Sequence, residues 1–317
     1  MIGPVFRLGL VGAGRMGRTH LRALAGSGSV VVTAVAESVE AARAEIAESG
    51  RAVYAGVDEL LDAGNLDGVL IAAPTDRHLD LVSRVLAAGL PILCEKPCGY
   101  SSANLRETAA AIRDRGVPFQ VAYWRRYVPG LQALRQRIEG GDLGEIHLFA
   151  SSQWDGQPPS AQFRARSGGI FRDMGVHEFD QVRWLSGQEF GEVDAIPGPR
   201  SPDADAGDDP DSAQAIARLS GGATAFVSLG RYYPVGDMAR IEVFGTRDAV
   251  RVDFLDPKHG ERAQLDALVR QAEAFAAYAR GGPLTGASVG DAIAALDAAE
   301  RAATAIQREP ATAGAAT

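Results

Sequence analysis

The feature that most constrains this chain is a glycine-rich loop between an apolar run and a helical pattern. The run Phe6–Gly12 is short and apolar, and Arg15–Ala25 has the pattern of a helix. In such a G-x-G-x-x-G loop, the first glycine permits a tight turn and the second lets the backbone approach a pyrophosphate, while the third lets the helix pack on the sheet. The strand, loop and helix together predict a dinucleotide site rather than a purely structural turn. The loop residues are Gly12, Ala13, Gly14, Arg15, Met16 and Gly17.

An acidic residue follows at the distance that a ribose contact requires. Val30–Ala36 is β-branched and apolar, and Glu37 comes directly after it, about 20 residues beyond the loop. A carboxylate at this point would bind the adenosine ribose hydroxyls and repel a 2′-phosphate. Arg43 lies further on, within the next predicted helix, so the residues favour NAD over NADP. Ser38 keeps NADP open as the alternative.

Strand and helix patterns alternate through the first part of the chain. Continuous apolar strands separated by helices indicate a parallel sheet that is covered on both faces. We therefore predict an α/β domain over residues 1–122, with the doubly wound sheet of a Rossmann fold. The apolar runs lie at 6–12, 30–36, 68–73, 91–94 and 117–122, and the helical patterns lie at 15–25, 39–48, 76–88 and 103–115.

The pattern changes after Tyr123. Glycines in Ser220-Gly221-Gly222 predict a hairpin between two of the later strands. We predict a second, α+β domain over residues 123–317, with an open and mainly antiparallel sheet. Its predicted strands lie at 145–154, 212–219, 223–230, 239–244 and 250–254, and its helices at 128–139, 168–187, 263–280 and 289–306. We also predict an exposed acidic loop at 197–211 and a loose tail at 309–317.

Composition excludes several classes of protein. The chain is 46% hydrophobic and 23% charged, which is typical of a folded protein and not of a disordered one. A membrane span is not expected, because no apolar run is long enough. The net charge of −8 argues against nucleic acid as the partner. The short stretch before the first strand leaves no room for a secretory leader, so we expect a cytoplasmic protein.

Two cysteines, Cys94 and Cys98, are too few for a disulfide framework. The five histidines are scattered without the paired spacing of metal ligands, so no metal site is predicted. Two reduced thiols are the simplest interpretation.

Lys96 follows the predicted strand at 91–94, within Glu95-Lys96-Pro97. The carboxyl ends of parallel strands face the cofactor crevice of such folds. A lysine there would hydrogen-bond a substrate hydroxyl and stabilise developing alkoxide character. By position alone, a surface lysine in a loop salt bridge is an equally good interpretation.

Asp173 and His177 lie four residues apart in a predicted helix, and this spacing puts them on one face. A carboxylate one turn from an imidazole can orient the ring and tune its pKa near neutrality. Spacing alone does not separate such an acid–base pair from a polar helix face directed to solvent or to a subunit contact.

Taken together, these motifs resemble the Gfo/Idh/MocA family of NAD(P)-dependent oxidoreductases, which act mostly on sugars and cyclitols. The resemblance rests on the glycine loop, Ala-Ala-Pro-Thr at 72–75, Glu-Lys-Pro at 95–97 and the D-x-x-x-H pattern at 173–177. It covers nearly the whole chain. Trp-Arg-Arg-Tyr-Val-Pro-Gly at 124–130 and the helix around His177 look like segments of bacterial inositol dehydrogenases.

The resemblance implies a role for each matching residue. Lys96 would position and stabilise the reacting hydroxyl, His177 would be the general base, and Asp173 would orient the substrate or His177. It also implies a small polyol or sugar substrate and a homotetramer. The implied cofactor contacts are the glycine loop, Glu37, Ala73, Pro74, Glu95 and Lys96. The implied substrate contacts are Lys96, Arg126, Tyr127, Asp155, Asp173, His177 and Tyr233.

Some positions depart from the inositol dehydrogenase pattern. Val235-Gly236-Asp237-Met238 stands where many of these enzymes have Tyr-Gly-Tyr-Asp, and Gln153 and Asp155 stand near positions held by histidine and asparagine in some of them. These differences leave myo-inositol itself open as the substrate. The alternatives are another sugar dehydrogenase or reductase of the family, a non-catalytic dinucleotide sensor, and a glycosidase.

The carboxylate of Glu37 predicts tighter binding of NAD than of NADP. Calorimetry with both cofactors measures the preference directly, and Glu37→Ser should narrow the gap by removing repulsion of the 2′-phosphate. Equal or tighter binding of NADP to the wild-type protein would contradict this prediction.

Overall fold

A computed structural model describes residues 4–199, 209–257 and 260–307 of the chain. The first sheet is fully parallel, with the strand order β3-β2-β1-β4-β5-β6. This order confirms the predicted doubly wound Rossmann sheet. The strands are β1 (Phe6–Val11), β2 (Val30–Ala36), β3 (Ala52–Tyr54), β4 (Gly68–Ile71), β5 (Ile92–Cys94) and β6 (Phe119–Val121).

Apolar strand sequences explain why this sheet is buried on both faces. All four residues of β4 are buried, and Leu8 and Leu10 of β1 are fully enclosed. The connecting helices are α1 (Arg15–Leu24), α2 (Glu40–Ala47), α3 (Val57–Asp62), α4 (His78–Ala87) and α5 (Ser102–Arg115). Short 3₁₀ turns at Thr75–Arg77 and Trp124–Tyr127 follow β4 and β6.

The sequence pattern missed β3 and α3. β3 has three residues and lies at the edge of the sheet, with no buried side chain. α3 has only six residues, with Val57 and Leu60 as its buried positions. Elements this short do not carry enough periodicity to be separated from loops.

The second sheet has the order β12-β11-β7-β10-β9-β8. Its strand pairs are antiparallel except for β7 and β10, which run parallel, so the predicted mainly antiparallel sheet is confirmed. The predicted hairpin joins β9 to β10. The strands are β7 (Ile146–Trp154), β8 (Phe190–Pro197), β9 (Ser212–Leu219), β10 (Thr224–Gly230), β11 (Met238–Gly245) and β12 (Ala249–Leu255).

Alternating burial shows that one face of this second sheet is covered. Ala213, Ala215, Ala217 and Leu219 of β9 are buried, and the residues between them are not. The helices that follow β6 along the chain are α6 (Pro129–Glu139), α7 (Ala161–Arg166), α8 (Val176–Ser186), α9 (Gly260–Ala279) and α10 (Val289–Ala305). The sequence pattern missed β8 and α7, which have few buried positions.

The described residues fall into two compact units that are not simple consecutive halves. The first takes its residues from Met1–Gln132 and His259–Ala294, and the second from Ala133–Lys258 and Ala295–Thr317. The predicted division at residue 122 is linear, whereas in the structure α9 returns to the first unit. Its Ala272, Phe275 and Ala276 are part of the same apolar core as Phe6 and the buried residues of β1 and β2. Such a return is invisible in a pattern that is read along the chain.

Within the part of the chain that is described, no helix combines the length and apolar character needed to cross a membrane. Most of the predicted acidic loop, residues 200–208, and the predicted tail lie outside the described residues.

Phe275 offers a test of the discontinuous core. Its ring is fully buried and lies edge-to-face against Phe6, with ring centroids 5.9 Å apart. Phe275→Ala should lower the free energy of unfolding by about 3–5 kcal/mol, because it leaves a cavity in the core of the first unit. Urea denaturation measures the loss. Glu273→Ala, at an exposed position of the same helix, is the control and should change it by less than about 0.5 kcal/mol. Equal effects of the two variants would contradict the assignment of α9 to this core.

Candidate active site

The glycine loop is shaped by close backbone contacts. Gly12 has a φ of +91°, and a Cβ there would lie 2.6 Å from the backbone of Ala73. A Cβ on Gly17 would lie 2.1 Å from the carbonyl oxygen of Gly12. Any larger residue at either position would force the loop apart. Two of the three glycines are therefore required by the protein itself.

Gly14 is different, because a Cβ there would meet nothing within 4 Å. This residue is exposed and is the N-cap of α1, and no side chain caps the helix start. The first N–H groups of a helix attract anions, and a glycine lets a phosphate come close to them. The open space beside Gly14 and the first N–H groups of α1, called the cradle below, fits a dinucleotide pyrophosphate.

Glu37 closes the other side of this cradle. One carboxylate oxygen accepts a hydrogen bond from the N–H of Ala13 at 2.7 Å, and the other accepts one from Val39 at 2.9 Å. These bonds use part of the acceptor capacity of a carboxylate, which leaves lone pairs for ribose hydroxyls. Arg43 lies in α2 as predicted, and its guanidinium reaches back to the carbonyls of Glu37 and Ser38, at 2.8 Å from each.

The other predicted cofactor residues follow neighbouring strands of the same sheet. Ala73 and Pro74 come after β4, and Glu95 and Lys96 come after β5. Parallel neighbours bring these strand ends to one edge of the sheet, together with the glycine loop after β1. The structure therefore places all the predicted cofactor residues along that edge.

Glu95 is almost completely buried and is held from two directions. His20 Nε2 lies 2.7 Å from one carboxylate oxygen, and the N–H of Lys96 donates to the other at 3.1 Å. Burial acts to raise the pKa of Glu95. The hydrogen bond and charge of His20 and the charge of Lys96 outweigh this effect and hold the pKa below its ordinary value. Glu95 is therefore an anchored carboxylate next to the half-buried Lys96.

The two cysteines flank this segment. Their Sγ atoms are 3.5 Å apart, and both thiols are free and buried. Burial raises the pKa of the Cys94 thiol well above its ordinary value, so the reactive thiolate is disfavoured.

Arg126 and Tyr127, two of the predicted substrate contacts, are buried in the first unit. The Arg126 guanidinium lies 3.4 Å from both the carbonyl of Gly286 and the carboxylate of Asp291. Burial raises the pKa of the Tyr127 phenol. Substrate contact remains a prediction for both residues.

Asp173 and His177 lie on either side of a change in helix type. Asp173 is in a π-helical turn, Phe171–Gly175, and the buried His177 is in the first turn of α8. The predicted helix at 168–187 is thus a π turn that continues into an α-helix. Single π turns within helices occur often at functional sites.

Arg231, which the sequence reasoning missed, holds Asp173. It comes directly after β10, is 1% exposed, and its guanidinium donates to the Asp173 carboxylate at 3.2 Å. Its other arm lies 2.7 Å from a carboxylate oxygen of Asp209. Asp209 also accepts a hydrogen bond from the N–H of Ile170, directly before the π turn. One buried guanidinium therefore fixes both the Asp173 carboxylate and the start of its turn. The only sequence signal for this role of Arg231 is that a charged residue comes directly after an apolar strand.

α8 is itself anchored to the sheet through a polar contact. Ser151 of β7 donates to the carboxylate of the fully buried Glu178, and Gln181 donates to the Ser151 hydroxyl at 3.1 Å. Because Glu178 is the neighbour of His177, this network restricts the position of the imidazole along the helix.

The remaining predicted substrate residues, Asp155 and Tyr233, lie beside one another. The N–H of Tyr233 donates to the carbonyl of Asp155 at 2.7 Å, and Gln153 donates to the Asp155 carboxylate at 3.0 Å. They follow the adjacent ends of β7 and β10, and Arg231 follows the same end of β10. The second unit thus brings Asp155 and Tyr233 together at one end of its sheet, and Arg231 at the same end pairs with Asp173.

Comparison with known proteins decides the family. Residues 6–123 match the model of an oxidoreductase family with an NAD-binding Rossmann fold, and residues 131–251 match the GFO/IDH/MocA C-terminal domain. The chain belongs to the Gfo/Idh/MocA oxidoreductases. The resemblance noted from the motifs is therefore confirmed, and the first domain is an NAD-binding domain.

Individual relatives extend over most of the chain. The rhizopine catabolism protein MocA of Rhizobium meliloti is 45% identical over 304 residues, 96% of each chain. An inositol 2-dehydrogenase of Rhizobium meliloti strain 1021 is 35% identical over 266 residues, 83% of this chain and 80% of that protein. The crystal structure of a myo-inositol dehydrogenase from Corynebacterium glutamicum has a TM-score of 0.86 at 26% identity, covering 97% of this chain and 100% of that one.

Replacing Arg231 by methionine should remove the buried cation that bridges the carboxylates of Asp173 and Asp209 and leave Asp209 with the longer contact to Arg164. Removing one partner of a buried ion pair costs about 3–5 kcal/mol of stability, and denaturant unfolding measures it. The matched control is Arg251→Met, since Arg251 pairs with Asp253 on an exposed part of β12. That change should cost less than about 1 kcal/mol. A loss no larger for Arg231→Met than for the control would show that the buried network does not hold the turn.

Proposed function

We propose that this protein is an NAD-dependent dehydrogenase that oxidises a secondary hydroxyl of a cyclitol or sugar to a ketone. The main support for the proposal is the open cradle at Gly14, together with the presence of Lys96, Asp173 and His177 in the same chain. NAD, when bound, supplies the hydride acceptor. We propose NAD rather than NADP because Glu37 presents a carboxylate beside the cradle.

Two side chains share the work on the reacting hydroxyl. An alcohol is a very weak acid, so its oxidation needs both a base for the proton and a donor for the developing alkoxide. The Lys96 ammonium donates to the oxygen without losing its own proton, and the His177 imidazole takes the hydroxyl proton. Asp173, held by Arg231, orients the substrate or the imidazole.

The names of the relatives support a cyclitol. Similarity to inositol 2-dehydrogenases supports an inositol, whereas the greater and longer similarity to the MocA protein supports a rhizopine as the second candidate. A short hydroxy acid would require an arginine clamp on its carboxylate. Arg126, one of the adjacent arginines at 125 and 126 that could supply such a clamp, already contacts Asp291 and the Gly286 carbonyl.

A substrate panel tests the proposal. NADH formation should be fastest with a member of a set of inositols, a rhizopine and aldopyranoses, and slow with lactate and malate. Faster turnover of lactate or malate would refute the substrate class. Cofactor binding without turnover of any substrate would favour the dinucleotide sensor instead, and hydrolysis of glycosides would favour the glycosidase.

The proposed roles of His177, Lys96 and Asp173 predict losses of turnover of different size when each is replaced. His177→Ala should lower turnover by roughly 10²–10⁴-fold, the usual size of a general-base effect. Lys96→Ala should lower it at least as much, and Asp173→Asn less. NAD affinity should survive in the His177 and Asp173 variants, since neither residue belongs to the cradle.

The deciding measurement is the pH profile of kcat/KM for the wild-type protein and His177→Ala, with folding checked by circular dichroism. A folded His177→Ala protein with near-wild-type activity and an unchanged acid limb would exclude His177 as the base. Lys96 would then be the leading candidate.

We also propose a homotetramer. Ile196, Ile216, Phe226 and Phe244 are exposed on one face of the second sheet, and an apolar patch of this kind is typical of a subunit interface. Sedimentation at micromolar concentration tests it, and a monomer would refute it.

A further inference from the structure

Two buried histidines lie close to Lys96 although neither was a candidate site residue. His20 is in α1 and His78 is the first residue of α4, and both are at most 1% exposed. Buried histidines in a core usually pack against apolar groups or satisfy one local partner. These two instead reach the residues directly before and after Lys96.

His78 bridges two main-chain carbonyls. Its Nδ1 lies 2.8 Å from the carbonyl oxygen of Pro97, and its Nε2 lies 2.7 Å from that of Ala73. Both partners are acceptors, whereas a neutral imidazole has a single N–H. Burial lowers the pKa of His78, and the charge of Lys96 lowers it further. The two carbonyls and the nearby Glu95 carboxylate favour the charged ring, but burial outweighs them. The single N–H therefore donates to one of the two carbonyls, and the second nitrogen lies against the other. The ring thereby contacts the main chain at both Pro97 and Ala73.

His20 works from the other side through Glu95. Its Nε2 lies 2.7 Å from one oxygen of the Glu95 carboxylate, and the other oxygen accepts the main-chain N–H of Lys96 itself. The Glu95 carboxylate thus links His20 of α1 to the main chain of Lys96. The N–H of Glu95 is tied in addition to the carbonyl of Ile71 in β4.

We propose that His20 and His78 are positioning residues that fix the main chain of Lys96 from both sides and couple it to the cofactor edge at Ala73. The proposal rests on the proposed role of Lys96 in alcohol oxidation. A lysine ammonium is carried by a flexible four-carbon stem, so its backbone must be fixed if its charge is to meet one oxygen. Displacement of a reacting group by about 1 Å can cost on the order of 10²-fold in rate.

Kinetics provide the first test. His20→Leu and His78→Leu remove the polar contacts, whereas His20→Gln and His78→Gln keep an N–H donor. The leucine variants should lose roughly 10–100-fold in kcat. Their KM for substrate should change by less than about threefold, and the glutamine variants should recover most of the loss. His147→Leu is the control, because His147 is exposed on β7.

The scarcity of lysine provides a second test that needs no turnover. The chain has only two lysines, Lys96 and Lys258, so protein made with lysine labelled with ¹³C at Cε alone should give two side-chain signals. Lys258→Arg assigns them. In the cofactor-free protein, the leucine variants should shift or broaden the Lys96 signal and leave the Lys258 signal unchanged. The glutamine variants should restore it.

The outcomes separate this proposal from the proposed function. Leucine variants with wild-type kcat and an unchanged Lys96 signal would overturn the positioning role and leave the dehydrogenase assignment intact. A wild-type protein that oxidises no substrate would refute the assignment, and the Lys96 signal would still report on positioning. If a leucine variant does not fold, His20→Asn or His78→Asn takes its place, since the shorter amide stays polar but falls short of its partner. The same two outcomes then apply.

Discussion

The close approach of the glycine loop to the end of β4 is the contact on which the first unit depends. Gly12 turns next to the backbone of Ala73, at a distance that leaves no room for a Cβ. This approach brings two neighbouring strand ends to one edge and leaves the cradle at Gly14 open. Ala73 is in turn linked through His78 to Pro97, and Pro97 is adjacent to Lys96. A continuous set of short contacts therefore runs from the loop at the cofactor edge to the lysine.

In the second unit, ionic contacts hold the proposed site residue Asp173 in position. Asp173 lies in a π turn, and a buried arginine from the end of β10 pairs with it and with Asp209. Removing such a group from water is costly, so a buried ion pair is weak grounds for stability in itself. Its contribution here is directional, because the forked guanidinium can hold two carboxylates in fixed positions.

Polar contacts, not only apolar packing, therefore hold Asp173 and the chain neighbours of Lys96 and His177, the residues proposed to act at the substrate hydroxyl. Glu95 is held by a buried histidine, Asp173 by a buried arginine, and Glu178, the neighbour of His177, by Ser151. Hydrogen bonds and ion pairs fix direction, whereas apolar contacts fix only distance and volume. This arrangement suits groups that must meet one oxygen atom of a substrate.

The sequence by itself determined the elements whose signals are local. The glycine loop, the apolar strands of the first sheet, the β9–β10 hairpin and the spacing of Glu37 follow from residue types at short separations, and the motifs were enough to indicate the family. Only the tertiary structure decided that α9 completes the core around Phe6, that Arg231 pairs with Asp173, and that His20 and His78 hold Glu95 and Pro97. The physical reason is that periodicity reports which face of an element is buried. The partner of a buried polar group depends instead on which strand ends and helix faces meet, and residues as far apart as His20 and Glu95 are brought together by the order of the strands in the sheet.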